Sequence, residues 1–215
     1  MALHYKIIPV TPFQQNCSVI WCSETNLAAV VDPGGEIPRI REFIESNKLE
    51  LDKILITHAH LDHAGGTAEL ARLNGVPIIG PHKDDQFWID LLPEQCAQFG
   101  FDGDTFTPDQ WLDHGDVVAL GNLSFEVVHC PGHTPGHVVF VERTANFAAV
   151  GDVLFQGSIG RSDFPKGNQK DLVDSIRNRL FPLGDNIDFI PGHGPMSTFG
   201  HERKTNPFVA DKRFG

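Results

Sequence analysis

The chain has 215 residues and a formal net charge of −11 at pH 7 with neutral histidines. This length suits one ordinary domain with its own hydrophobic core, so we expect a single domain over residues 1–215. The acidic balance argues against a nucleic-acid partner and against docking on an anionic membrane, since both need a basic surface. No apolar run reaches the roughly 18 residues that a membrane-spanning helix needs.

Four cysteines form no Cys-x-x-Cys pair, which favours reduced thiols over a disulfide scaffold. The start of the chain lacks the charged and apolar regions of a secretory signal. We therefore expect a cytoplasmic protein. Histidine is the unusual component of the composition, with eleven residues against a single tyrosine.

Short runs rich in valine, isoleucine and phenylalanine, separated by turn-forming residues, predict ten strands. In chain order they are Lys6–Val10, Ser18–Trp21, Ala28–Val31, Ile54–Ile56, Val76–Ile79, Val117–Leu120, Ser124–His129, Val138–Glu142, Phe147–Val150 and Ile187–Ile190. Helical spacing of apolar residues predicts Pro38–Ser46, Thr67–Leu73 and Gln169–Leu180. Asn168 is the predicted N-cap of the last helix and Pro182 ends it. The segment Asp84–Trp111 is predicted to be partly helical, and the whole pattern predicts a layered α/β domain with two mixed sheets.

The strongest signal is the run Thr57-His58-Ala59-His60-Leu61-Asp62-His63, which directly follows the predicted strand Ile54–Ile56. In extended backbone every second side chain faces the same way, so His58 and His60 can meet at one ion. As the chain turns into the next helix, Asp62 and His63 rotate toward a second point. Neutral imidazole and carboxylate are ligands that suit a divalent transition metal.

Three further predicted strands end in a histidine or aspartate flanked by glycine. The segments that follow them are Pro131-Gly132-His133-Thr134-Pro135-Gly136-His137, Gly151-Asp152 and Pro191-Gly192-His193-Gly194-Pro195. Each segment alone is also typical of an ordinary turn. Together with the histidine-rich run they predict one metal site at the ends of four strands.

In order and separation these four motifs resemble the metallo-β-lactamase superfamily, over a stretch from Phe13–Cys17 to His193. The resemblance implies a four-layer αββα sandwich with metals at one edge between the sheets. It implies two metal sites, with Asp152 bridging them; the ligands are His58, His60 and His133 in the first site, and Asp62, His63 and His193 in the second. His137 is predicted to support the ligands from outside. The other histidines, predicted to be surface or packing residues, are His4, His82, His114, His129 and His201.

Two metal ions about 3.5–4 Å apart would share a water whose pKa can fall from about 15.7 toward about 7. The bridging hydroxide would attack a carbonyl carbon, with Asp62 orienting it and Asp152 holding both ions. No Gly-x-Ser-x-Gly motif offers a nucleophile. Cys130 and His129 would face opposite sides of a strand, so Cys130 is predicted to be a buried thiol. Such a site supports hydrolysis of an ester, thioester, lactone or phosphoester; zinc is the expected metal, and iron or manganese would fit the same ligands.

The stretch Gly151–Arg161 resembles the glyoxalase II family, which hydrolyses S-D-lactoylglutathione to D-lactate and glutathione. The resemblance implies that Arg161 contacts glutathione, and an arginine can clamp a carboxylate with two hydrogen bonds. The alternative for Arg161 is an ion pair with Asp163, and Lys166 is a weaker candidate for substrate contact. The chain resembles a short form of the family that lacks a helical C-terminal domain, and its single tyrosine, Tyr5, lies far from the motif.

The segment Gly160–Phe164 also resembles persulfide dioxygenases, which bind one iron on the same scaffold and oxidise glutathione persulfide. The ligands of the two families overlap, so both activities stay open. A metal-dependent RNA nuclease is disfavoured by the charge of −11, and a non-enzymatic member should have lost a ligand, whereas none is lost. The sequence thus predicts a binuclear hydrolase of a small-molecule glutathione thioester, with no nucleic-acid or membrane partner.

Overall fold

The computed structural model describes residues 3–211. The first sheet contains β1 (Leu3–Val10), β2 (Gln15–Cys22), β3 (Leu27–Val31), β4 (Glu50–Leu55) and β5 (Ile78–Ile79). These strands lie side by side in chain order. The pairs β1–β2 and β2–β3 are antiparallel, whereas β3–β4 and β4–β5 are parallel. The sheet is therefore mixed, as predicted.

The second sheet is built from the later part of the chain. Its strands are β6 (Val117–Leu120), β7 (Leu123–His129), β8 (Val138–Glu142), β9 (Phe147–Gly151), β12 (Asp188–Pro191) and β13 (Ser197–Thr198). Their spatial order is β13-β12-β9-β8-β7-β6, and only β9 and β12 pair in parallel. Two short strands, β10 (Leu154–Phe155) and β11 (Ser158–Ile159), form a separate antiparallel hairpin.

Some helices cover the outer faces of the sheets, and others lie within the loops near one edge. They are α1 (Ile37–Ser46), α2 (Leu61–Ala64), α3 (Thr67–Asn74), α4 (Gln86–Asp90), α5 (Leu92–Gln98), α6 (Gln169–Ser175) and α7 (Phe199–Thr205). A π-helical turn over Ile176–Leu180 continues α6, and 3₁₀ turns span Lys83–Asp85 and Phe181–Leu183. No helix within residues 3–211 is long and apolar enough to cross a membrane.

Hydrophobic side chains fill the three interfaces between the four layers of the sandwich, because alternate side chains of the central strands face opposite sides. In β8, Val138 and Phe140 pack between the two sheets, whereas Val139 and Val141 pack under α6 and α7. Helices α1 and α3 cover the outer face of the first sheet in the same way. Strands buried on both faces become continuous apolar runs, which is why the sequence shows them so clearly. The predicted four-layer αββα sandwich is confirmed.

All ten predicted strands are present, with bounds that differ by a few residues. The three strands that the sequence analysis missed (β10, β11 and β13) are two residues long and show no periodicity. The side chain of Asn168 accepts hydrogen bonds from two backbone amides of α6, so the predicted cap is confirmed. The helix predicted over Gln169–Leu180 is α-helical only to Ser175, and Pro182 lies in the 3₁₀ turn beyond it. The segment Asp84–Trp111 is partly helical, as predicted.

Strands β4, β7, β9 and β12 all end at one edge of the sandwich, where the two sheets are joined by hydrogen bonds. The amide of Val138 donates to the carbonyl of Thr57 over 2.8 Å, and the amide of Asn16 donates to the carbonyl of Gly192 over 2.7 Å. The segments that follow these four strands carry the motifs singled out in the sequence. The fold therefore brings them to one place.

Candidate metal centre

The first donor set consists of three buried histidines from two loops. His58 and His60 follow β4, and His133 lies in the turn after β7. Each offers a ring nitrogen, and these nitrogens all lie within 4.8 Å of one another. His60 Nδ1 and His133 Nε2 lie 2.9 Å apart. The structure thus brings His58 and His60 to one point, as their spacing in the sequence predicted.

The second donor set consists of Asp62, His63 and His193, whose donor atoms again lie within 4.8 Å of one another. Helix α2 begins directly after His60 and carries Asp62 and His63. Asp62 Oδ2 lies 3.1 Å from His193 Nε2 and 3.9 Å from His63 Nε2. The loop after β12 supplies His193, whose Nδ1 lies 3.2 Å from the carbonyl oxygen of Phe13.

Asp152 lies between the two sets. Its Oδ1 is 3.3 Å from His63 Nε2, and its Oδ2 is 3.6 Å from His133 Nε2 and 3.7 Å from His193 Nε2. Gly151, just before it, has φ of 50°, and a Cβ there would lie 2.5 Å from Thr57 Oγ1. Only glycine fits this position without strain, because it lacks a side chain and tolerates left-handed backbone. One carboxylate therefore faces both donor sets.

Several buried polar atoms at this point have no hydrogen-bond partner among the described residues: His58 Nε2, His60 Nε2, His63 Nε2 and Asp152 Oδ1. A buried polar atom left unpaired costs about 1–3 kcal/mol. All four atoms belong to residues of the two donor sets or to Asp152, and metal ligation would use lone pairs of these residues. Imidazole and carboxylate donors fit zinc, iron or manganese, so these residues suit the metals that the sequence predicted.

The charges of the two sets differ. Burial and the neighbouring histidines lower the pKa of His58 and of His60 well below its usual value, which keeps both rings neutral and able to ligate. The pKa of Asp62 and that of Asp152 are lowered despite burial, because His63 lies close to both carboxylates. The same carboxylates, against the effect of burial, raise the pKa of His63 well above its usual value.

Asp32, at the end of β3, was missed by the sequence analysis. Its Oδ2 accepts hydrogen bonds from Thr57 Oγ1 at 2.6 Å and from His63 Nδ1 at 2.9 Å, and its Oδ1 accepts one from the amide of Thr57 at 2.7 Å. Although Asp32 lies close to the donors of His58 and His63, its oxygens are already occupied, so we place it outside the ligand set. It fixes the His63 tautomer that directs Nε2 toward the site. The strand-end rule that identified Asp152 would also have found Asp32, which is followed by Pro33-Gly34-Gly35.

Asp85 was missed as well. It is fully buried, and its carboxylate accepts hydrogen bonds from Thr134 Oγ1 at 2.8 Å, from the amide of Gly136 at 2.6 Å and from the amide of Ala59 at 3.1 Å. Burial raises the pKa of Asp85 to about 7, although these three donors oppose the shift. Asp85 thus ties the loop of His58 and His60 to the turn of His133.

The remaining histidines lie outside the donor sets, as predicted. His137 stacks on His58 at 4.6 Å, and its Nε2 accepts a hydrogen bond from the amide of Asp152 at 3.1 Å. His82 stacks on His129, whose Nε2 lies 2.8 Å from the carbonyl oxygen of Pro135. His4, His114 and His201 are exposed. Cys130 is a buried thiol, as predicted, and burial raises its pKa to about 12.

A cavity of about 700 Å³ opens above the donors, and much of its lining is aromatic. Arg161 lines this cavity, but its Nε and Nη2 lie 2.9 Å and 2.8 Å from the two carboxylate oxygens of Asp163. The ion-pair alternative for Arg161 is therefore what the structure shows. Lys166 does not line the cavity, and its Nζ lies 3.8 Å from the centre of the Phe87 ring.

Comparison with known proteins is consistent with this geometry. The profile of the metallo-beta-lactamase superfamily matches residues 10–193. The chain is 48% identical over 212 residues to the hydroxyacylglutathione hydrolase GloC of Haemophilus influenzae, covering 98% of this chain and 100% of that protein. The crystal structure of the BLEG-1 B3 metallo-beta-lactamase superposes with a TM-score of 0.88 at 32% identity, covering 99% of this chain and 100% of that chain. The crystal structure of TTHA1623 in a di-iron-bound form superposes with a TM-score of 0.86 at 33% identity, covering 95% of this chain and 100% of that chain.

Proposed function

Because the chain belongs to the metallo-β-lactamase superfamily and is a metal-dependent hydrolase, we propose that it hydrolyses S-D-lactoylglutathione to D-lactate and glutathione. The observation that carries this proposal is Asp152, which faces two complete donor sets. The relative from Haemophilus influenzae, named as a hydroxyacylglutathione hydrolase, supports the choice of thioester. We propose two divalent ions per chain, with zinc as the expected metal.

Seven side chains would hold the two ions. His58, His60 and His133 would hold the first ion and Asp62, His63 and His193 the second, with Asp152 shared between them. When bound, such ions supply hydroxide from water at neutral pH and polarise the carbonyl group that is attacked. The neutral rings of the first set and the ionised carboxylates of the second set provide the lone pairs that this requires.

The chain's own groups orient the reaction. The carboxylate of Asp62 lines the cavity and is ionised, so it can accept a hydrogen bond from the attacking oxygen and fix its direction. A thiolate leaving group has an ordinary pKa near 8.5, so it departs without a strong general acid. This agrees with the lining of the cavity, which contains no lysine, tyrosine or cysteine among the described residues.

Arg161 is our candidate for the contact with glutathione. Its side chain is 68% exposed at the mouth of the cavity, and so is that of its partner Asp163. An exposed ion pair contributes little to stability, so a substrate carboxylate can replace Asp163 at little cost. The glutathione end of the substrate would then lie at the mouth, and the acyl end beside the donors.

The test is hydrolysis of S-D-lactoylglutathione by zinc-loaded protein, with metal content measured on the same sample. We expect two ions per chain, hydrolysis that a chelator abolishes, and a loss of at least about 100-fold in Asp152→Ala. Asp174→Asn on α6, where the carboxylate pairs with Lys170, is the matched control and should keep full activity. Protein that holds two ions and does not cleave the thioester would refute the proposal.

Persulfide dioxygenase activity is the second candidate, and the segment Gly160–Phe164 favours it. That reaction predicts one iron per chain and oxygen uptake with glutathione persulfide. Because the ligands of the two families overlap, the donor sets do not separate the two activities; the 48% identity to a hydroxyacylglutathione hydrolase favours the hydrolase. Because one similar structure is a B3 metallo-beta-lactamase, nitrocefin belongs in the same assay, and we expect the thioester to be the better substrate.

A further inference from the structure

Aromatic rings border the donor sets on two sides of the cavity. The Trp88 ring lies 4.5 Å and the Phe164 ring 4.7 Å from the ring of His60, measured between centroids. On the other side, the Phe155 ring lies 6.3 Å from the ring of His193. Trp88, Phe155 and Phe164 all line the cavity. Any group held beside the donors therefore meets aromatic surface.

The cavity offers few charged partners. Apart from the candidate ligands, Arg161 is the only charged side chain in its lining among the described residues, and it lies at the mouth. Gln95, Gln98 and Ser158 add only uncharged polar groups to the lining. A charged substituent held against the rings would lose its hydration without gaining an oppositely charged side chain there, which is unfavourable. An apolar substituent would gain contact with the rings. The methyl group of a lactoyl chain fills only a small part of about 700 Å³.

We propose that the rings of Trp88, Phe155 and Phe164 form an acyl-binding subsite that selects thioesters of aromatic 2-hydroxy acids over the lactoyl thioester. This inference rests on the proposed thioester hydrolysis and names the acyl class that the same site prefers. The reaction is the same for either acyl group. Water adds to the carbonyl carbon, the carbon–sulfur bond breaks, and the products are a 2-hydroxy acid and the thiol of glutathione.

Two substrates that differ only in the acyl group test the inference. S-D-mandeloylglutathione carries a phenyl group where S-D-lactoylglutathione carries a methyl group, and both share the leaving thiol. With zinc-loaded protein we expect kcat/KM for the mandeloyl thioester to be at least about tenfold higher. The reason is that a single methylene group in an apolar pocket already changes kcat/KM by about 10-fold or more.

Substitutions of single ring residues test whether these rings cause the preference for the mandeloyl thioester. Phe155→Ala and Phe164→Ala should each lower the mandeloyl-to-lactoyl ratio by at least about threefold. Phe164 also lies 4.5 Å from the guanidinium carbon of Arg161, but a change in glutathione binding affects both substrates and cancels in the ratio. Losses of folded protein or of metal cancel in the same way. Phe208→Ala, at a ring that is 46% exposed and outside the cavity lining, is the matched control and should leave the ratio unchanged.

Each outcome separates this inference from the function on which it rests. A ratio of at least about ten that falls in Phe155→Ala or Phe164→Ala but not in Phe208→Ala supports the subsite. Good hydrolysis of the lactoyl thioester with a ratio below about ten overturns the subsite and leaves the hydrolase intact. A high ratio that neither ring variant changes, or that Phe208→Ala lowers equally, overturns the assignment to these rings. If neither thioester is cleaved, the proposed function fails and the inference fails with it.

Discussion

Asp32 holds the ring of His63, a candidate metal ligand, in a fixed direction. Its carboxylate accepts hydrogen bonds from Thr57 Oγ1, from the Thr57 amide and from His63 Nδ1. All three partners are donors, so an amide at this position would turn an NH₂ group toward one of them. The ring of His63 would then lose its fixed direction, although no metal ligand has changed.

We therefore expect Asp32→Asn to weaken metal binding by about 10–100-fold, the range typical of partners that orient a ligating histidine. Competition with a chromophoric zinc chelator measures this affinity directly, independently of catalysis. Asp174→Asn, at an exposed carboxylate on α6, is the control. An affinity in Asp32→Asn that stays within twofold of the parent protein would contradict the role.

The seven candidate donors could be predicted from the sequence, whereas the contacts that support them could not. The seven predicted donors lie in motifs where strand ends, glycines and the resemblance to a known family agree. Asp32 and Asp85 stand outside those motifs, and their partners lie far along the chain: 25 residues from Asp32 to Thr57 and 49 from Asp85 to Thr134. The strand-end position of Asp32 marks it as a candidate, but no local pattern shows which residues Asp32 or Asp85 contacts at such separation. The contacts of the exposed residues Arg161 and Lys166 were harder still to predict, because several partners of similar energy compete for a surface charge.

At the scale of the elements, α7 holds the hairpin of β10 and β11 in place. Glu202 is fully buried; its Oε2 accepts hydrogen bonds from the amide of Gly157 at 2.8 Å and from Asn206 Nδ2 at 2.8 Å. Asn206 Nδ2 also donates to the carbonyl oxygen of Ser158 at 3.0 Å. Phe155 and Ser158 of this hairpin line the cavity. A helix outside the cavity thus positions part of its wall.

Glu202→Ala should destabilise the protein by about 1–3 kcal/mol, because the Gly157 amide and Asn206 would be buried without this acceptor. It should also raise KM for the thioester several-fold with a smaller change in kcat, since the hairpin contributes to binding. Glu202→Gln keeps one acceptor oxygen and should restore most of both properties. Urea unfolding and steady-state kinetics measure them, with exposed Lys204→Ala on the same helix as the control. Unchanged stability and KM in Glu202→Ala would refute the positioning role.

Elements that the sequence predicted well are those buried on both faces or capped locally. Strands β3 and β8 are continuous apolar runs, and the side chain of Asn168 marks the start of α6. The four-residue helix α2 and the strands of two residues are too short to show any periodicity. Helix α7 was missed because its charged residue Glu202 is buried. An amphipathic pattern assigns charged residues to the surface, so the buried face of this helix could not be recognised.

At the scale of the whole molecule, the candidate metal centre joins the two sheets. His58, His60, Asp62 and His63 follow β4 of the first sheet, whereas His133, Asp152 and His193 follow strands of the second. Ions bound here would favour the packed sandwich over the unfolded chain. Binding at a metal concentration of 100 times Kd stabilises a protein by about 2.7 kcal/mol.

We expect zinc to raise the unfolding temperature of chelator-treated protein by about 5–10 °C, from about 2–4 °C per kcal/mol for a chain of this size. The shift should be smaller in His193→Ala, which leaves the first donor set complete. Differential scanning calorimetry with and without a chelator makes the measurement, and calcium, which prefers oxygen ligands, is the control ion. The same unfolding temperature with and without zinc would contradict a site that joins the sheets.

Each sheet is formed by one continuous half of the chain, since β1–β5 lie within residues 3–79 and β6–β13 within residues 117–198. A backbone cut in the connection between β5 and β6 would therefore divide the donors without dividing either sheet. The first fragment would keep four of the seven donors and the second would keep three, so neither could hold the paired ions alone. Two such fragments would form a complementation pair, in which recovery of thioester cleavage reports that the halves have found each other.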